Sequence, residues 1–146
     1  MSFYEYLFVR SSLFFLLYTV LTGTAFYLWP GLVPYLKTAH VHAGLVGFFL
    51  NLVMGVAFWM MPRPAQIRQE GLEALAYYTL NAGLLLRLVA EPWALYSGNP
   101  GLRALLVLSG VLQAAGVAVF AFAMSQRVFT REQLLQMAAA RKKKSV

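Results

Sequence analysis

Cysteine is absent from this 146-residue chain. That excludes disulfides, thiolate nucleophiles, iron–sulfur ligation and thioether-linked cofactors. Charge is scarce as well: Asp, Glu, Lys and Arg supply 12% of the residues, where a soluble domain carries about 25%. No phosphate-cradling glycine loop, acid pair or nucleophile triad can be picked out, and no internal repeat is visible. Histidine occurs only twice. What remains is apolar: 60% of the residues are hydrophobic and the mean hydropathy is +0.65. A helix needs about 20 apolar residues to cross the hydrocarbon core, so this length accommodates four crossings and short loops. Backbone amides in lipid must bond internally, which restricts the crossings to helices or a closed barrel. The runs lack the alternation of barrel strands. The expected fold is all-α, an integral membrane four-helix unit.

Punctuation in the chain sets the boundaries. A first span of about 7–29 stops at Pro30-Gly31, a turn signal, with Arg10 close enough to its end to snorkel. A second, about 35–61, is closed by Pro62 and Pro64. A third, about 72–95, runs into Ser97-Gly98-Asn99-Pro100-Gly101, and a fourth covers about 102–127. Residues 1–128 thus form one unit, and 129–146 add a short amphipathic piece, Glu132 to Ala140, and the basic run Arg141 to Lys144. Trp29, Tyr35, Trp59, Trp93 and Tyr96 fall near span ends, as an interfacial aromatic belt requires. The first apolar run exceeds the core of a signal peptide and no A-x-A site follows it, so it reads as a retained span.

Basic residues orient the bundle. The side holding the N-terminus, the second loop and the C-terminus carries Arg10, Arg63, Arg68, Arg127, Arg131, Arg141 and Lys142 to Lys144. The opposite side carries Lys37 and Arg103. The positive-inside rule puts both termini in the cytoplasm. The net charge of +7 is then accounted for without nucleic acid, and the basic tail is matched to anionic lipid headgroups.

Both histidines lie in Thr38-Ala39-His40-Val41-His42-Ala43-Gly44, toward the outer end of the second span. Ionisable residues at membrane depth are costly and usually mark function, and neutral imidazole is a common ligand for haem iron, zinc and copper. On a helix, residues two apart project roughly 200° from each other, so the pair cannot readily clamp one metal from a regular helix. His40 shares its face with Gly44, Gly47, Asn51 and Met54 or Gly55, a small-sided strip able to lie against a flat macrocycle. His42 shares its face with Val46, Phe49 and Val53. Glycines at this spacing also let helices approach closely, and a histidine can simply hydrogen-bond a neighbouring helix; both readings stand on spacing alone. Met54, Met60, Met61 and Met124 are further potential iron ligands, although methionine in an apolar helix is usually filler.

The stretch AHVHAGLVGFFLNLVMGVAFWMMPR from Ala39 to Arg63 resembles the second helix of subunit I in the haem–copper oxidase and nitric oxide reductase superfamily, particularly its short single-unit relatives. LNAGLLLRLVAEPW, from Leu80 to Trp93, is similar to the following helix. The resemblance implies a low-spin haem b ligand near the outer end of the second helix, the depth of His40 and His42. It also implies a bacterial or archaeal cell membrane. Family subunits have about twelve helices in three arcs of four, whereas this chain has one arc and no further histidines for a copper centre, so it is not expected to be an oxygen-reducing enzyme. Three copies, or alternatively two, would place His40 of one chain opposite His42 of the next, each pore holding one haem. Arg87 then becomes a candidate partner for haem propionates, with Lys37 and Arg103 as further cations. Arg87 has a structural alternative in an ion pair with Glu91 or a bond to Asn81 or Gln113.

The expected function is therefore electron transfer or redox sensing through a bis-histidine haem b, with an unidentified redox partner. The alternatives are a non-catalytic membrane subunit or assembly factor whose histidines pack or bind copper, and a haem with one labile ligand that takes up nitric oxide or oxygen. The charge distribution carries its own test. Reporter fusions at Val146 should give cytoplasmic activity and fusions at Gly98 external activity; the reverse pattern would move both histidines to the cytoplasmic side.

Overall fold

The computed structural model describes residues 2–61 and 69–128. The loop from Pro62 to Arg68, the amphipathic piece and the basic tail lie outside the described residues. The described residues are almost wholly helical, with no strand among them.

Helix α1, Phe3–Leu28, starts at a capping box in which Ser2 accepts from the Glu5 amide and the Glu5 carboxylate accepts from the Ser2 amide. The signature Ser2-Phe3-Tyr4-Glu5 explains why α1 begins one turn earlier than the apolar run alone. A 3-10 turn, Pro30–Leu32, reverses the chain. It continues directly into α2, Val33–His42, a π-helical segment, Ala43–Leu50, and α3, Asn51–Met60. These pieces make one continuous rod of 31 residues, Pro30–Met60. Helix α4, Glu70–Ser97, ends where Gly98 takes a left-handed conformation (φ 63°) that a glycine adopts without strain. Helix α5, Leu102–Ser125, returns antiparallel to it.

Three of these rods are long and apolar enough to cross a membrane: α1, the Pro30–Met60 rod and α5. Helix α4 has the length, with 28 residues, but Glu70, Glu73, Arg87 and Glu91 dilute its apolar character. The aromatic residues near the helix ends, Trp29, Trp59, Trp93 and Tyr96, are all exposed.

Two sets of glycines set the packing. Along α1 and the second rod, a Cβ on Gly47 would lie 2.5 Å from the Phe15 ring and one on Gly55 would lie 2.8 Å from Phe8. Thr19 faces Gly44 in the same way, and His40 faces Gly23. Each bulky side chain therefore enters a notch left by a glycine opposite. Between α4 and α5 the backbones themselves approach: a Cβ on Gly116 would meet the Leu80 nitrogen, and one on Gly83 the Ser109 carbonyl, each at 2.8 Å. The apolar core of Phe8, Met54, Phe58, Ala76, Leu80, Ala123 and Met124 joins the two helix pairs near the end that holds the N-terminus. Met54 and Met124 thus occupy core positions.

Polar links tie the same pairs together. Asn81 of α4 donates to Asn51 Oδ1 at 2.9 Å, and Asn51 in turn donates to the Val46 carbonyl five residues back, inside the π-helical segment. At the end of the bundle that holds the N-terminus, Arg127 is 1% exposed. Its guanidinium donates to the Phe58 carbonyl (2.8 Å), to Glu73 (3.2 Å) and to Gln69 (3.0 Å), and lies over the Phe58 ring. Ser2 donates to the other Glu73 oxygen at 2.6 Å. Arg127, counted in the sequence as one of several surface cations, is therefore a buried tie.

Removing one member of a buried ion pair leaves the other charge uncompensated, at a cost of roughly 3–5 kcal/mol, whereas apolar replacement of both is far milder. Glu73→Leu should lower the melting temperature in detergent markedly, and Glu73→Leu with Arg127→Met should recover most of the loss. A double variant that melts as low as the single one would show that the pair is not the unit that matters.

Candidate functional site

The histidines sit in the last turn of α2, immediately before the π-helical segment. His40 lies about 15 Å along the rod from Pro30, at 1.5 Å per residue. The helix is regular at this point, so the two rings diverge as their spacing requires.

His40 turns toward α1. Its Nδ1 lies 2.8 Å from Thr22 Oγ1, its ring meets the Phe26 ring edge-on at 5.3 Å, and Gly23 leaves the room it occupies. The Thr22 hydroxyl also lies within reach of the Tyr18 carbonyl at 2.8 Å and the Thr19 carbonyl at 3.1 Å; where its one hydrogen goes to either, it accepts from His40, whose proton is then on Nδ1. His42 turns toward α4. Its Nδ1 lies 2.9 Å from the Thr38 carbonyl, which can only accept, so this ring is protonated on Nδ1. Neither Nε2 has a hydrogen-bond partner among the described residues. A backbone carbonyl or hydroxyl holding Nδ1–H is the usual way a histidine is oriented for a metal, and imidazole nitrogen is a donor that haem iron accepts; the face of His40, however, is covered by α1.

Glu91 adjoins His42, with Oε2 3.9 Å from Nδ1, and pairs with Arg87 through Oε1 at 3.2 Å. The proximity places His42, Glu91 and Arg87 at one depth. Arg87 Nε and Glu91 Oε2 are buried without a hydrogen-bond partner. Of the structural alternatives for Arg87, the structure contains the Glu91 pair; Asn81 and Gln113 are engaged elsewhere, with Asn51 and Ser109. The Nε–H of the guanidinium has no acceptor among the described residues.

The remaining candidates are dispersed. Lys37 and Arg103 are exposed near the end of the bundle that holds Gly31 and Gly98. Gly44 and Gly47 face Thr19 and Phe15 of α1, so the strip beside His40 is filled within the chain and these glycines serve helix packing. Among the described residues no group of three or more His, Asp or Glu side chains is placed to hold a metal ion.

Thr22, Gly23 and Phe26 escaped the sequence reading. They sit one helix away from the residue they hold, and only the register of α1 against α2 reveals them. Asn51 and Asn81 were each visible as polar residues in apolar helices, but their pairing was not.

Comparison with known proteins finds no family model that matches the chain, no similar curated protein and no similar solved structure. The likeness to haem–copper oxidase subunit I rests on the two segments quoted above.

Proposed function

We propose that this is a four-span b-type haem protein of the cell membrane, both termini cytoplasmic, that carries electrons or senses redox state. The observation that carries the reading is the pair of imidazoles at membrane depth, each held by an Nδ1 hydrogen bond, with no partner for Nε2 among the described residues. Helix α4 makes the fourth crossing despite its charges, because Glu73, Asn81 and Arg87 are each bonded within the bundle.

The rings diverge, so His40 of one copy and His42 of the next would hold the haem in a closed homo-oligomer, a trimer in preference to a dimer. Haem so held would supply a one-electron couple. Thr22 and the Thr38 carbonyl would set the basicity of the two rings. Arg87, steadied by Glu91, would pair with a propionate, and Lys37 and Arg103 would add positive charge on the outer side.

A second reading has its own observation. His40 is hydrogen-bonded to Thr22 and meets the Phe26 ring edge-on, which also satisfies a purely packing histidine in a non-catalytic membrane subunit. Purification from haem-replete cells separates the two. The haem reading requires a pyridine haemochrome of b type at one haem per chain, and a colourless preparation ends it.

His40→Ala and His42→Ala should each abolish the bis-histidine spectrum of every haem, not half of them. A His42→Ala protein with intact spectra would rule out the shared-ligand arrangement. Because haem would bridge the copies, stripping it should shift native mass spectra toward monomer.

Thr22→Val should retain haem but raise its midpoint potential, since a ring that loses its Nδ1–H acceptor donates less electron density to iron. Arg87→Leu should loosen haem or shift the potential by removing a propionate cation. Unchanged haem content and potential in a folded Arg87→Leu protein would make that residue structural.

A further inference from the structure

A cleft of about 280 Å³ opens between α1 and α4, away from both histidines. Leu7, Phe14, Phe15 and Leu85 line it with hydrocarbon, while Arg10, Ser11, Tyr77 and Asn81 contribute polar groups. Asn81 is 7% exposed, and its amide nitrogen is fully occupied, donating to Asn51 Oδ1 and to the Tyr77 carbonyl, each at 2.9 Å. Its Oδ1 has no donor among the described residues. This carbonyl lies about 16 Å along α4 from Glu70, a depth at which bilayer water is not available to satisfy it.

The cleft mouth has the opposite polarity. Ser11 and Tyr77 bond to each other through their hydroxyls at 2.7 Å. Whichever donates, one hydroxyl hydrogen of the pair remains to be given away. Arg10 bonds to the Tyr6 hydroxyl and adds further donors. A guest that suits this arrangement gives a hydrogen bond to the floor, takes one at the mouth, and is otherwise apolar. Phe14, Phe15 and Tyr77 favour an aromatic body.

We infer that the α1–α4 cleft binds a lipophilic phenol dissolved in the bilayer, its hydroxyl donating to Asn81 Oδ1 and accepting from the Ser11–Tyr77 pair. An acyl chain of a phospholipid would fill the volume but leave the carbonyl unmatched. The inference is independent of haem.

The probe is 4-nonylphenol, compared with its methyl ether, which has the same body and no O–H. Binding to the full chain in lipid nanodiscs is measured by equilibrium depletion. One saturable site per chain is expected for the phenol, at least about tenfold tighter than for the ether, in line with a net hydrogen bond to a buried acceptor. Asn81→Leu should reduce the preference to near unity. Because Asn81 also ties α4 to Asn51, a second variant guards against misfolding. Leu85 is 53% exposed, so Leu85→Trp should fill the cleft and abolish phenol binding without lowering the melting temperature. Equal affinity for phenol and ether would overturn the proposal and leave an acyl-chain groove. So would a phenol preference that survives in Asn81→Leu, or saturable phenol binding in a folded Leu85→Trp protein.

Discussion

One guanidinium ties the ends of all four rods together. Arg127 follows α5, bonds the last turn of α3 through the Phe58 carbonyl, and pairs with Glu73 in the first turn of α4, whose second oxygen takes the hydroxyl of the α1 cap residue Ser2. A buried ion pair contributes little net stability against apolar replacement, because desolvation offsets most of the attraction. Its value here is specificity. Apolar helices in a bilayer slide past one another at little cost, since lipid and leucine are equivalent surroundings. A charge that is satisfied in only one alignment fixes the vertical register, and the rest of the packing follows from that register.

The glycine notches depend on it. Phe8, Phe15 and Thr19 meet Gly55, Gly47 and Gly44 only if α1 and the second rod stand at the correct height. The π-helical segment contributes to the same fit. Its wider turns shift the face beyond Leu50 relative to the face before it, and Asn51, bonded to Val46 as well as to Asn81, holds the point of change. On a regular helix Asn51 would share the face of His40 and Gly47. In the structure the glycines turn to α1 and Asn51 to α4.

Much of the architecture was legible. Apolar runs and the Pro-Gly breaks marked every rod to within a few residues, because both signals are local. The capping box at Ser2 is local too, but the apolar run did not include it, and it moves the start of α1 by a turn. Arg127 could not be placed, since a cation at a span end looks the same whether it faces headgroups or a buried carboxylate on another helix. For the site, the divergence of His40 and His42 followed from their spacing, and the Arg87–Glu91 pair followed from an offset of four. The ring partners did not: the hydroxyl beside His40 belongs to Thr22, and no pattern within α2 points to it. The glycines beside His40 illustrate the converse, where a face that looked free for a flat ligand already has its occupant in α1.

The composition of α4 has a consequence for how the chain is made. A cation or carboxylate at mid-helix raises the cost of insertion by about 2.5–3.5 kcal/mol, and α4 carries several ionisable groups while its neighbours are almost uniformly apolar. The groups that satisfy its polar and charged side chains arrive at different times during synthesis. Asn51 is already in place when α4 emerges and Glu91 follows Arg87 by one turn, but Arg127, the counter-charge of Glu73, is added only after the whole of α5. The proposed fourth crossing is thus least secure while the ribosome is still adding α5. Helices α4 and α5 would enter the bilayer together as a hairpin, closed at Gly98, and be locked at their far end by Arg127, two residues beyond α5.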